Sequence, residues 1–208
     1  MDADLETLCD QMHGRVLEIG NGRRGRRGRF QPPVEEAEAW IYLDLQDQRQ
    51  PHLRGDVEHL PLQDAIFDTV IYLEVMEYVT DPQAALNEMH RVLKRGGTLI
   101  LATPFLHRAD TLHDYWRFTE HALRHLLAEA DFQVQELKQQ GAALAVAVNI
   151  LKYAIYAIQR PRWRILVAFA AYQPLMALLC LDEPLARRLP ALRTFSTGYL
   201  VLATCEER

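Results

Sequence analysis

Arg15-Val-Leu-Glu-Ile-Gly-Asn-Gly22 joins a short apolar, β-branched run to two glycines in three positions. Such a run reads as a buried strand, and glycines at its end let the backbone come close to a ligand. Working outward, Ala39-Trp-Ile-Tyr-Leu-Asp-Leu45 reads as a second strand, Arg54-Gly-Asp-Val57 as a short third, and Phe67-Asp-Thr-Val-Ile-Tyr-Leu73 as a fourth rich in β-formers. Asp81-Pro82 supplies an N-cap with proline at the first helical position, and Ala85, Leu86, Met89, Val92 and Leu93 then recur at helical spacing. Lys94 and Arg95 are expected in the last turn, with Gly96-Gly97 as the stop. Thr98–Thr103 is the next strand, a second helix starts at Thr119 with Leu123, Leu126 and Leu127 on one face, and Phe132–Leu137 alternates as a half-exposed strand. Strands alternating with helices predict an α/β fold, a Rossmann-like, doubly wound and mostly parallel seven-stranded sheet. Ligands of such sheets sit beyond the carboxyl ends of the strands.

Composition narrows the choices. A chain of 208 residues, 49% hydrophobic and 25% charged, is the size of one ordinary globular domain. Three cysteines without a CxxC pair argue against a disulfide framework and a cysteine-built zinc site, so no metal is expected. The acidic start, Met1-Asp-Ala-Asp-Leu-Glu6, lacks the apolar region of a secretory signal, and the expected location is cytoplasmic. Residues 1–141 carry 15 Lys+Arg against 24 Asp+Glu, which argues against nucleic acid as a partner, whereas residues 142–208 carry 8 against 4.

The basic part is also the most apolar. Residues 142–193 are expected to form a helical insertion before the last strand, Gly198–Ala203, giving three segments: a core at 1–141, the insertion, and a return to the sheet at 194–208. Its two apolar runs, Ala142–Ile158 and Ile165–Leu181, are about 17 residues each, at the lower limit for a membrane span. Three readings stay open: two spans, an amphipathic pair lying on the inner membrane face with Arg160, Arg162, Trp163 and Arg164 at the headgroups, or a lipid-free cap or dimer face. The oligomeric state is not specified by the sequence.

The chemistry resides in the strand ends. Gly20, Gly22 and Gly25 satisfy G-x-G-x-x-G, a weak motif shared with dinucleotide binders. Asp44 follows at a distance where a carboxylate accepts hydrogen bonds from two ribose hydroxyls and repels a 2′-phosphate. Glu18, Asp44, Asp56 and Glu74 would give the site an acidic lining that suits a cation better than a pyrophosphate.

These blocks, together with Gly55-Asp-Val-Glu-His-Leu-Pro61, Leu73-Glu-Val-Met-Glu-Tyr-Val-Thr-Asp-Pro82 and Arg91-Val-Leu-Lys-Arg-Gly-Gly97, resemble the class I S-adenosylmethionine-dependent methyltransferases over roughly residues 14–141 and 195–205. The resemblance implies S-adenosylmethionine as cofactor. It implies Glu18, Gly20, Asn21 and Gly22 at the methionine end, Asp44 and Leu45 at the ribose, Asp56 and Val57 at the adenine, and Glu74 and Val75 lining the cofactor and substrate side.

Two departures stand out. Five arginines fill positions 23–29, where relatives commonly have small residues; they are read as a solvated charge run, a reshaped cofactor loop, or a holder for an acceptor phosphate. Glu77-Tyr78 stands where many relatives have a histidine after the glutamate, so the acceptor side needs another base. His113-Asp-Tyr-Trp-Arg-Phe-Thr119, preceded by His107, resembles a branch associated with polysaccharide and cell-surface glycan synthesis. His107, His113 and Tyr115 are the candidate catalytic residues, with an adjacent carboxylate as the orienting group.

The expected activity is methyl transfer to a small-molecule, glycan or lipid-linked acceptor, at oxygen. The alternatives are a noncatalytic methyltransferase-like scaffold and, ranked last, an NAD-dependent oxidoreductase or epimerase, for which no Tyr-x-x-x-Lys pair is evident.

Overall fold

A computed structural model describes residues 1–20, 30–46, 50–109 and 111–206. Seven strands form one sheet: β1 (Arg15–Ile19), β2 (Ala39–Asp44), β3 (Leu53–Arg54), β4 (Phe67–Leu73), β5 (Leu93–Pro104), β6 (Phe132–Gln140) and β7 (Gly198–Cys205). Their order is β3-β2-β1-β4-β5-β7-β6, with β1 to β5 paired in parallel. The helices are α1 (Asp2–Glu6), α2 (Pro82–Val92), α3 (Glu120–Glu129), α4 (Ala143–Tyr156) and α5 (Pro161–Arg188). This is the doubly wound architecture that strand–helix alternation predicts. Its order reverses between β1 and β4, which places the ligand crevice beyond the carboxyl ends of those two strands.

Two compact units make up the chain. The first comprises residues 1–103, 111–138 and 200–208; the second comprises 104–110 and 139–199. The second therefore includes the segment after β5 as well as the helical stretch at 142–193.

Local rules explain most boundaries. The Asp81 carboxylate accepts the Gln83 and Ala84 amides at 3.0 Å, and Pro82 at the first helical position needs no donor. Ala85, Leu86, Met89 and Val92 are buried, as their spacing requires. Thr119 caps α3 by accepting the Ala122 amide at 3.2 Å.

Three expectations need correction. The third strand is Leu53–Arg54, and Asp56 lies beyond it in a one-residue bridge to His59. The α2 helix stops at Val92, before Lys94 and Arg95: Leu93 is already extended, and the Lys94 ammonium lies 2.8 Å from both oxygens of Asp68. Burial pushes the Asp68 carboxyl up, but the Arg15 amide and Lys94 outweigh it and hold the group below its ordinary value. A tertiary ion pair thus claims the lysine that local rules assign to a helix end. In the second unit, the run expected at Ile165–Leu181 is part of a longer helix, α5, of 28 residues that contains Pro174 and Pro184.

Candidate active site

Within the first unit, the carboxyl ends of β1 to β4 carry the sequence-predicted cofactor residues. Gly20 follows β1 with φ +84°, a conformation that favours glycine, and its amide donates to the Leu43 carbonyl at 2.8 Å. A Cβ there would lie 2.2 Å from a Val75 methyl, so the two strand ends meet through the missing side chain. Glu74 also adopts a positive φ, +53°, uncommon for a residue with a side chain. Its amide donates to Ala102 of β5 at 2.9 Å, which fixes the turn. Strain of this kind collects where a chain must present a group to a ligand.

Glu18 is buried on β1, and its Oε2 accepts the Trp40 indole N–H at 2.8 Å. Asp44 ends β2, also buried, and turns the chain by accepting the Gln46 amide at 2.8 Å. Leu45 beside it is exposed. Asp56 is exposed and accepts the Glu58 amide at 3.0 Å, while Val57 is buried. The loop that follows is clamped by Arg91, which donates to the Leu62 carbonyl at 2.8 Å and the Leu60 carbonyl at 3.0 Å and pairs with Glu88 and Asp64. Asn21, Gly22 and the arginines of 23–29 lie outside the described residues.

The acceptor-side candidates belong to two different units. His113 and Tyr115 are in the first unit, both exposed, with His113 Nδ1 3.1 Å from the Tyr115 hydroxyl. Asp114 does not orient His113, as adjacency had suggested; it forms a two-point ion pair with Arg117. His107 belongs to the second unit, where its Nε2 lies 2.5 Å from the Tyr153 hydroxyl and its Nδ1 faces the Arg108 carbonyl at 3.1 Å. Both ring nitrogens are engaged within that unit.

A residue that the sequence reading noted only as a departure proves central. Glu77 sits in the short turn after β4 and is 2% exposed. Its carbonyl accepts the Tyr115 amide at 2.8 Å and the Trp116 amide at 3.3 Å, and the Trp116 indole donates to the neighbouring Val79 carbonyl at 2.9 Å. The turn thereby anchors the segment carrying His113 and Tyr115. Burial above all, with Glu74 and Asp114 adding to it, pushes the Glu77 carboxyl up to about 8. At neutral pH it holds its proton. Glu77 Oε2, the Tyr72 hydroxyl and Thr103 Oγ1 are buried without a hydrogen-bond partner among the described residues. All three belong to the carboxyl ends of β4 and β5 or the turn beyond, where a polar ligand would satisfy them, although buried atoms of this kind occur elsewhere too, as at Gln83 Oε1.

The Gly20 turn, a carboxylate closing β2 and the reversal of strand order lie together at the carboxyl ends of the strands, where open α/β sheets bind ligands. Residues 35–101 match the family model described as a methyltransferase domain. Among curated proteins, the chain is 36% identical over 78 residues to the malonyl-[acyl-carrier protein] O-methyltransferase of Serratia marcescens, covering 36% of this chain and 31% of that one. It is 38% identical over 119 residues to the ubiquinone biosynthesis O-methyltransferase of Maricaulis maris, covering 47% of each. The chain thus spans less than half the length of either relative. Among solved structures, the [4+2]-cyclase SpnF aligns with TM-score 0.60 at 17% identity, covering 99% of this chain and 81% of that one. The phosphoethanolamine N-methyltransferase 2 of Haemonchus contortus, in complex with S-adenosyl-L-methionine, aligns with TM-score 0.58 at 15% identity, covering 99% and 52%. Together these findings show the Rossmann-like fold shared with solved methyltransferases and a similarity to the methyltransferase domain over residues 35–101.

Proposed function

We propose that the chain transfers a methyl group from S-adenosylmethionine to an oxygen of a small-molecule, glycan or lipid-linked acceptor. The observation that carries this reading is the contact of Gly20 with Val75 across the strand reversal, flanked by buried Glu18 and Asp44. A side chain at position 20 would collide with Val75 and push apart the two strand ends that frame the site. The carboxylates suit a cationic sulfonium and a ribose diol. When bound, S-adenosylmethionine supplies a methyl carbon already activated for in-line displacement.

What remains for the protein is positioning and one proton. Asp44 orients the ribose, and Glu18 with the Gly20 turn holds the methionine end. Asp56 and Val57 border the adenine. His113, exposed and hydrogen-bonded to Tyr115, takes the proton of the acceptor hydroxyl. Glu77 stays neutral beneath that segment and holds it through its carbonyl. Incubation with S-adenosylmethionine carrying a labelled methyl and with glycan and lipid-linked hydroxyl acceptors tests the reading. Label in an acceptor methyl ether supports it; cofactor binding with no transfer to any acceptor favours a second reading.

That second reading is a cofactor-binding protein that does not methylate. The similarity in fold to a protein named as a cyclase favours keeping it, because one fold hosts several chemistries.

A further inference from the structure

The first half of α5 is exposed on every side. Each of the ten positions from Pro161 to Ala170 is open, although the segment carries Trp163, Ile165, Leu166, Val167 and Phe169. Phe169 is 82% and Ile165 66% exposed. The adjoining end of α4 matches it, with Ile150 62% and Tyr156 68% exposed, and the two helices pack together within the second unit. A helix that is apolar all round is ordinarily buried in a core or in lipid.

Charge selects the occupant. Arg160, Arg162 and Arg164 stand at the α5 N-terminus, where the backbone dipole is already positive and no side chain caps the amides. None of the three forms an ion pair among the described residues. Residues 104–110 and 139–199 together hold eight Lys+Arg against three Asp+Glu. A second copy of the chain would cover one face of α5 and bring like charges together, whereas acyl chains reach all faces and anionic headgroups answer the arginines.

Length selects the mode. The far end of α5 is tied to its own unit: the buried Asp182 accepts the Ala142 amide at 2.7 Å and the Leu144 amide at 2.9 Å, and Ala186 is buried. The stretch free to enter lipid, Pro161–Gln173, is about 20 Å long at 1.5 Å per residue, short of the roughly 30 Å hydrocarbon core. Crossing tip-first would also carry three arginines through that core.

We infer that the α4–α5 tip docks on an anionic phospholipid surface, lying in the interface with its apolar side chains among the acyl chains and Arg160, Arg162 and Arg164 at the headgroups. The inference does not depend on the methyl-transfer reading. Flotation of the full chain with vesicles of phosphatidylcholine, alone or with phosphatidylglycerol, tests it. Stronger binding to the anionic vesicles, weakening with salt, is expected. Each arginine is worth about five-fold in partition, so losing all three charges costs about 100-fold, and R160E/R162E/R164E, which reverses them, should bind anionic vesicles at least about 100-fold more weakly. L166S/F169S should lose binding as well. Circular dichroism reports whether either variant stays folded, and wild-type Trp163 emission, isolated by comparison with Trp163→Phe, should shift to the blue on binding. The inference is overturned if wild type fails to float with either vesicle. It is equally overturned if both variants float like wild type, or if the chain self-associates in sedimentation without binding lipid, which would assign the surface to a second copy.

Discussion

Burial, with Glu74 and Asp114 adding to it, raises the Glu77 carboxyl to about 8, which leaves it mostly protonated at neutral pH. Between its ordinary value of 4.5 and about 8, the unfolded chain has released a proton that the folded chain still holds. Stability therefore falls as pH rises through that window, by about 1.4 kcal/mol per pH unit at most, and levels off above it. Glu77→Gln keeps the neutral shape, and in urea unfolding across a pH series it should flatten this slope; an unchanged slope would show that Glu77 is ionised in the fold. His113 has a kinetic rather than a structural signature. His113→Ala should lower kcat by about 100-fold to 10,000-fold with cofactor affinity unchanged in calorimetry. Tyr115→Phe removes one hydrogen bond to the imidazole and should cost about five-fold.

At the level of elements, the site rests on two turns and one clamp. Gly20→Ala puts a methyl 2.2 Å from Val75 in a backbone conformation costly to any residue with a Cβ. It should lower the melting temperature and abolish cofactor binding; adding Val75→Ala should recover part of the stability, because it relieves the clash but not the φ. Arg91 joins α2 to the loop after Asp56 and Val57 through four partners. Arg91→Ala should destabilise the chain by about 1–3 kcal/mol in denaturant unfolding, since it strips carbonyls and carboxylates of a shared donor. These elements were legible in the sequence wherever local rules govern them. The Asp81-Pro82 start of α2, its buried face and strand β4 follow from capping and spacing alone. The α2 end was not legible, because the Asp68 partner of Lys94 is 26 residues away.

Across the whole molecule, chain order brought the strand-end carboxylates into view, since a parallel sheet repeats one geometry at each carboxyl end. Glu18, Gly20, Asp44, Glu74 and Val75 lie at those ends in the first unit. The state of Glu77 and the pairings of Asp114 with Arg117 and of His107 with Tyr153 were not legible. Burial and partners 46 residues apart are tertiary facts without a local signature, and the three-residue spacing of Asp114 and Arg117 does not by itself say which neighbour the carboxylate takes. The exposed tip of α5 was only half legible, because composition showed its apolarity but not that nothing in its own unit covers it. The account stands or falls on the cofactor. Isothermal titration of the protein with S-adenosylmethionine, with NAD as control and Asp44→Ala alongside, tests it most directly. Micromolar binding of S-adenosylmethionine alone, weakened at least about 100-fold by Asp44→Ala through two lost charge-assisted hydrogen bonds, is the predicted result. Equal affinity in wild type and Asp44→Ala, or binding of NAD instead, would contradict it.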